Sequence, residues 1–269
     1  MLEVSEIHDE ACCRTFKMGK HDMGMRQITL RDRSAESLAL LMSLLVMSPA
    51  LLGAEITGTI KWQGAAPEMG PISMDGDEDC AAMNQQEPAL MEILVLGEDQ
   101  SMANVFVRLT SGFAEQEYPA PEEPAVLNQV NCKYIPHVLG VMVNQPLSIL
   151  NSDGILHNVK TQSRRNRAFN LGMPADMTEA TRTFSRPEHI FPVKCNVHPW
   201  MTAYIGVLPH PFFDVTEQDG RFSIANLDPG TYELEVWHER LGTQTTTVTI
   251  AADESVEADF VFAQPEAAN

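Results

Sequence analysis

The segment Cys195-Asn196-Val197-His198-Pro199-Trp200-Met201 sets a thiol, an imidazole and a thioether at three-residue intervals, and His157 lies upstream in Asn151-Ser152-Asp153-Gly154-Ile155-Leu156-His157-Asn158-Val159. One thiolate, two imidazoles and one thioether are the donor set of a blue-copper centre, a trigonal group of two His and one Cys with a long axial Met. Sulfur suits the reduced ion and imidazole serves both oxidation states, so one geometry can persist through a one-electron cycle. Coordination would keep the Cys195 thiol deprotonated and occupied. A lone Cys-x-x-His is weak; Met three residues on, Pro after His and a His-Asn-Val upstream make the combination specific. The competing readings are a buried free thiol with ordinary core histidines, and zinc, for which Met is a rare ligand.

Such donors must be held by elements, and from Glu55 onward the texture is that of short alternating or β-branched runs without a sustained 3.6-residue period. The expectation is an all-β protein. Strands are expected at Ile56-Trp62, Ala103-Leu109, Val138-Val143, Leu147-Leu150, Ile155-Thr161, Thr181-Ser185, His189-Cys195 and Ala203-Leu208. After Pro211 the alternation is cleaner, at Arg221-Ile224, Tyr232-Trp237, Thr245-Ile250 and Val256-Phe262, with Asp219-Gly220 and Pro229-Gly230 as turns. Ala65 to Pro88 and Gly112 to Pro124 read as surface connections.

Of 269 residues, 37 are acidic and 18 basic, for a formal charge of -19, with 44% hydrophobic content. The composition is that of a globular protein, and the charge argues against nucleic acid or an anionic membrane as partner. A cationic partner, or simple solubility, fits it. The apolar run Ser37 to Ala54 follows Arg26, Arg31 and Arg33 and reads as a secretory signal, with the mature start near Glu55 and an uncleaved anchor as the alternative. Met23 or Met25 would put the basic stretch at the extreme N-terminus. Export would leave Cys80, Cys132 and Cys195, an odd number. The simplest reading pairs Cys80 with Cys132 in a disulfide and keeps Cys195 free; two unpaired buried thiols, or a metal role for Cys132 beside His137, are the competitors.

The loop CNVHPWM resembles the cupredoxin family, and most of all amicyanins, over roughly Val138 to Val207. The resemblance implies a Greek-key sandwich holding one type 1 copper ion on His157, Cys195, His198 and Met201. It implies that Asn158 braces the loop, that His198 is the exposed imidazole through which electrons pass, and that Pro199 and Trp200 form part of an apolar docking rim. The wider pattern, Asn-x-Asp-x-x-x-His-Asn-Val followed by Phe169-Asn170-Leu171-Gly172-Met173 and the Cys loop, looks like bacterial plastocyanin-like proteins labelled methylamine utilisation proteins. A second resemblance, from Val215 to Phe262, is to carboxypeptidase regulatory-like, transthyretin-like sandwiches, carried by Asp219-Gly220-Arg221-Phe222 and Pro229-Gly230-Thr231-Tyr232. The expected organisation is an N-terminal extension with signal at 1–54, a copper domain at 55–212, a small Ig/transthyretin-like sandwich at 213–264 and a tail at 265–269. Segment 55–110 is a candidate contributor to the second sandwich, which would make the copper domain an insertion.

His137, His210 and His238 remain unassigned and are candidates for a second metal site; partly buried histidines more often bond backbone or a ligand-bearing loop. Met69, Met74, Met83, Met173 and Met177 are candidates for a copper relay, against the commoner role of gap-filling. Arg164, Arg165 and Arg167 form a basic cluster that could dock an acidic partner or simply be a solvated loop tip. The leading expectation is a periplasmic or secreted one-electron carrier without substrate turnover, exchanging electrons with a redox protein such as a cytochrome or dehydrogenase. A copper chaperone or store is the second reading, and a structural or adhesive module with incidental metal the third. No nucleophile-and-base pattern, paired carboxylates or nucleotide-binding glycines point to an enzyme.

Overall fold

In strand Gly230–His238 the side chains of Tyr232, Leu234, Val236 and His238 point inward while Thr231 and Glu233 face solvent, the period-2 signature of a half-buried strand. The same alternation buries Ile56, Ile60 and Trp62 of Ala54–Gln63. The computed structural model describes residues 53–264. The expected signal segment and the 265–269 tail lie outside the described residues. Within them the protein is all-β apart from the helix Glu78–Met83 and a short 3-10 turn.

Two sheets build the layer that carries the donors. One runs, in spatial order, Val138–Met142, Thr202–Leu208, Glu188–Lys194, His157–Thr161 and Asn170–Met173; the other runs Lys133–Ile135, Ala125–Val130, Leu147–Asn151 and Glu179–Arg182. Leu127, Tyr134 and Ile149 of the second pack with Val159, Val193 and Ile205 of the first in one buried cluster, to which Cys195 and Met201 also belong. Two further sheets enclose a separate cluster. Ala54–Gln63 pairs antiparallel with Arg221–Leu227 and parallel with Phe260–Ala263, while Phe106–Ser111 pairs antiparallel with Gly230–His238. Strands from the two ends of the described chain therefore share these sheets, and the donor-bearing strands lie between them in sequence. Phe106 and Phe213, stacked at 5.8 Å, bridge to the first layer over Gly140, where an added Cβ would fall 2.2 Å from the Phe213 ring.

Several elements depart from the sequence reading. Val256-Phe262 divides into Ser255–Glu257 and Phe260–Ala263, because Asp259 Oδ1 accepts the Thr59 N–H at 2.8 Å in place of a ladder carbonyl. The strand expected at Thr181-Ser185 lies at Glu179–Arg182, and strands Ala125–Val130, Lys133–Ile135, Asn170–Met173 and Phe213–Val215 were not anticipated. Inside the expected Ala65-Pro88 connection, Asp77 caps the helix Glu78–Met83 by accepting from Cys80 N at 3.0 Å. A helix this short has little intrinsic stability. It is fastened by the Cys80–Cys132 disulfide, which closes a 52-residue separation and removes the alternative of a metal role for Cys132.

Glu188 organises the turn beyond His157–Thr161. Its buried carboxylate accepts from Ser163 Oγ (2.6 Å), Arg164 N (2.5 Å), Arg165 N (3.1 Å) and Asn166 N (3.2 Å). Burial opposes ionisation, but these donors prevail and hold its pKa down to about 2. Glu188→Ala is expected to lower stability by about 3 kcal/mol, since hydrogen bonds to a charged group are the strong ones. Urea unfolding reads this directly, and an unchanged midpoint would contradict it.

Candidate metal centre

His157 begins strand His157–Thr161, and Cys195 directly follows strand Glu188–Lys194, so neighbouring strands deliver the two donors side by side. The loop then closes on itself: His198 N donates to Cys195 Sγ (3.3 Å), Met201 N to His198 O (3.0 Å) and Cys195 N to Met201 O (3.3 Å). This folding brings His157 Nδ1 within 2.8 Å of His198 Nδ1, with Cys195 Sγ 3.9 Å from the latter. The three donor atoms lie within 4.8 Å of one another, all on buried residues. Met201 is buried in the same cluster.

The outward nitrogen of each imidazole is already committed. His157 Nε2 pairs with Asp153 Oδ2 at 2.8 Å and His198 Nε2 with Asp77 Oδ2 at 3.2 Å. Asp153 is itself held by the N–H groups of Asn131 (2.6 Å) and Cys132 (2.9 Å), and Asp77 by its capping bond. A carboxylate on Nε2 fixes that nitrogen as an N–H and turns both Nδ1 atoms to the centre, where one donates a proton to the other across the 2.8 Å contact and both become lone-pair donors only when that proton leaves. Neither carboxylate was assigned from sequence. Asp153 sits four residues before His157 inside the quoted motif, so its spacing was a usable signal; Asp77 is 121 residues from His198 and offered none.

Charge at the centre follows from these contacts. Burial pulls the His157 imidazolium down, but Asp153 and Cys195 outweigh it and raise its pKa to about 9. Burial likewise pushes the Cys195 thiol up, yet hydrogen bonds from His157 and from the backbone at Asn158, His198 and Val197 bring it below its ordinary value. Asn158 Oδ1 accepts from Asn196 N at 2.7 Å and lies 3.4 Å from Cys195 Sγ, bracing the loop against the neighbouring strand. Tyr134 donates to Asn158 O, and burial, followed by the adjacent Cys195, raises its phenol pKa far above normal. Two buried imidazole Nδ1 atoms and a thiol held below its ordinary pKa, sharing one space, fit a soft cation that displaces their protons on binding.

One expectation needs correction. His198 is not exposed: it is 1% accessible, covered by Asp77 and by Trp200, whose ring centroid lies 5.1 Å from that of His198. Trp200 is half-buried and donates from Nε1 to Cys132 O at 3.1 Å, so it forms part of this cover rather than a free rim. Pro199 is exposed, as are Val197 and Leu156. The disulfide explains the cover, because Cys80 and Cys132 carry the helix cap onto His198.

Residues 212–263 match the family model of the carboxypeptidase regulatory-like domain. A search of curated proteins finds no match. Among solved structures, an amicyanin variant in its Cu(I) form is similar at 22% identity over 38% of this chain and 97% of its own, with a TM-score of 0.29. The purple cupredoxin from Nitrosopumilus maritimus is similar at 18% identity, over 31% of this chain and 98% of its own, with a TM-score of 0.26. The Cu-containing nitrite reductase from Thermus scotoductus SA-01 is similar at 18% identity over 38% of this chain, with a TM-score of 0.31, and the chain spans only 26% of that enzyme's length.

His137, His210 and His238 are not brought together, and among the described residues the converging donor groups do not include them. His137 Nε2 pairs with Glu239 Oε1 at 2.7 Å, and Glu239 also accepts from Tyr204. His210 lies against Phe113 and Phe212, and His238 against Phe262. Met74 and Met173 are buried, their sulfurs accepting from Asn84 and Gln129, which is gap-filling rather than a surface relay. Burial pushes both His210 and His238 down to about 4 from 6.5. The unfolded chain then binds protons that the native state refuses, so this contribution to stability is complete above pH 6.5 and declines as pH falls from 6.5 toward 4. Urea midpoints should fall across that window, and the double variant His210→Phe, His238→Phe should flatten the slope; parallel profiles would contradict it.

Proposed function

We propose that the protein is a type 1 copper protein that carries single electrons outside the cytoplasm, with His157 Nδ1, Cys195 Sγ, His198 Nδ1 and the Met201 thioether as its donors. The observation that carries this reading is the convergence of two imidazole Nδ1 atoms and one free thiol in a buried space. Bound copper would supply a reversible one-electron couple. The chain's own residues do the rest: Asp153 and Asp77 fix the imidazole tautomers, Asn158 braces the Cys195 loop, and the hydrophobic cluster excludes water and holds the donors in place.

The Cys80–Cys132 disulfide supports a periplasmic or secreted location. Among the described residues no helix is long and apolar enough to cross a membrane. The expected partner is a redox protein such as a cytochrome or dehydrogenase, with no substrate turned over by this chain. The Asp77 cover on His198 favours a second reading, a copper store, because it slows access to the centre.

Titration of the metal-free protein with copper, followed by visible absorption and voltammetry, separates the two. A carrier gives one intensely coloured copper(II) per chain and a reversible couple. A store binds copper(I) without colour and gives no reversible couple.

A further inference from the structure

The span from residue 160 to 194 holds seven of the chain's 18 basic residues and only three of its 37 acidic ones. Six of the seven are exposed: Lys160, Arg164, Arg165, Arg167, Arg186 and Lys194. Among the described residues none of the six appears in an ion pair; the neighbouring carboxylate of Glu188 is turned inward onto backbone and side-chain donors of the 163–166 turn.

The fold ties five of these six together. Lys160 and Lys194 are direct partners across antiparallel strands, so both project from the same face. The Glu188 nest fixes Arg164 and Arg165 at the end of that strand pair. Asn166 Oδ1 accepts from Ser185 N and Arg186 N, both at 3.0 Å, tying Arg186 to the same turn. The surface starts at the metal centre, since Lys194 precedes Cys195 and Lys160 lies three residues beyond His157. Like charges directly opposite each other on adjacent strands destabilise a sheet. A rigidly mounted, unpaired positive face in a chain of net charge -19 is therefore a local departure that solubility does not explain.

We propose that this face docks an acidic protein, and, resting on the copper reading above, that it guides an acidic redox partner to the strand edge beside Cys195. The chemistry selects the kind of partner. A globular protein touches the positive face alone, and at physiological salt, screening over about 8 Å hides the acidic remainder. Duplex DNA or an anionic bilayer extends past the face and meets that remainder, which repels it. The cover over His198, with exposed Glu78 and Asp79 beside Asp77, presents the opposite sign and would turn the same partner away.

The test uses the full chain with a polyglutamate peptide as the acidic probe, beside duplex DNA and phosphatidylglycerol vesicles. Amide NMR shifts are expected at 160–167 and 185–194 with polyglutamate, abolished by salt of about 1 M. Lys160→Glu, Arg164→Glu, Arg165→Glu, Lys194→Glu together should weaken polyglutamate at least tenfold, and the four Gln replacements should weaken it to a lesser degree. All four sites are exposed, so circular dichroism should be unchanged. After copper loading, oxidation of the reduced protein by ferricyanide should slow with added salt in the native chain and lose that dependence in the Glu variant. Shifts elsewhere, no shifts, or tighter binding of DNA or vesicles would overturn the proposal. A failure to bind copper would remove the carrier reading while leaving the polyglutamate result to decide the docking face.

Discussion

Cys195→Ser should abolish the intense visible absorption of the copper(II)-loaded protein. That absorption needs a thiolate bound to the metal, and among the described residues Cys195 is the free cysteine. A serine hydroxyl at the same place is a harder and far less acidic donor, so the copper that remains would sit on imidazoles and oxygen. Copper affinity should fall by more than the roughly 10–100-fold that follows loss of an outer hydrogen-bonding partner. The fold should persist, because the backbone bonds that close the loop, Met201 N to His198 O and Cys195 N to Met201 O, do not involve the thiol. An unchanged spectrum in the variant would mean that copper is held elsewhere.

The second large effect is expected from the paired replacement Cys80→Ala, Cys132→Ala. A cross-link over a 52-residue separation limits the unfolded chain by about 4 kcal/mol in the loop-entropy estimate. For a domain of this size that corresponds to a fall in Tm of roughly 8–16 °C. The loss should be uneven. Asp77 reaches His198 only because the helix behind it is fastened to Cys132, so amides of 77–84 should exchange with solvent much faster while those of strand Thr202–Leu208 slow or quicken little. Alanine rather than serine avoids burying an unpaired hydroxyl at two sites that are 0% exposed. An intact melting temperature, or uniform loss of protection, would show that the disulfide does not act as a strap for the cover.

These two outcomes rest on features of different legibility. Donor types and their spacing around Cys195 are local, so one loop was enough to nominate Cys195, His198 and Met201, and the strand-borne His157-Asn158-Val159 completed the set. Strands with clean alternation, such as Gly230–His238, were visible for the same reason. Strand Asn170–Met173 was missed because only its Met173 is buried, leaving no alternation to read. Helix Glu78–Met83 was hidden by its length, since six residues, fewer than two turns, carry no readable periodicity and its stability comes from the disulfide and the Asp77 cap. The exposed His198 expected from family resemblance failed because one part of its cover, Asp77, comes from 121 residues away. Such a contact leaves no mark on either local segment.

X-ray absorption at the copper edge, recorded on the loaded protein in both oxidation states, addresses the donor set most directly. A shell of two imidazole nitrogens and one short sulfur bond, little altered on reduction, is the expected result. A shell of nitrogen and oxygen alone, or one that reorganises when an electron is added, would contradict it.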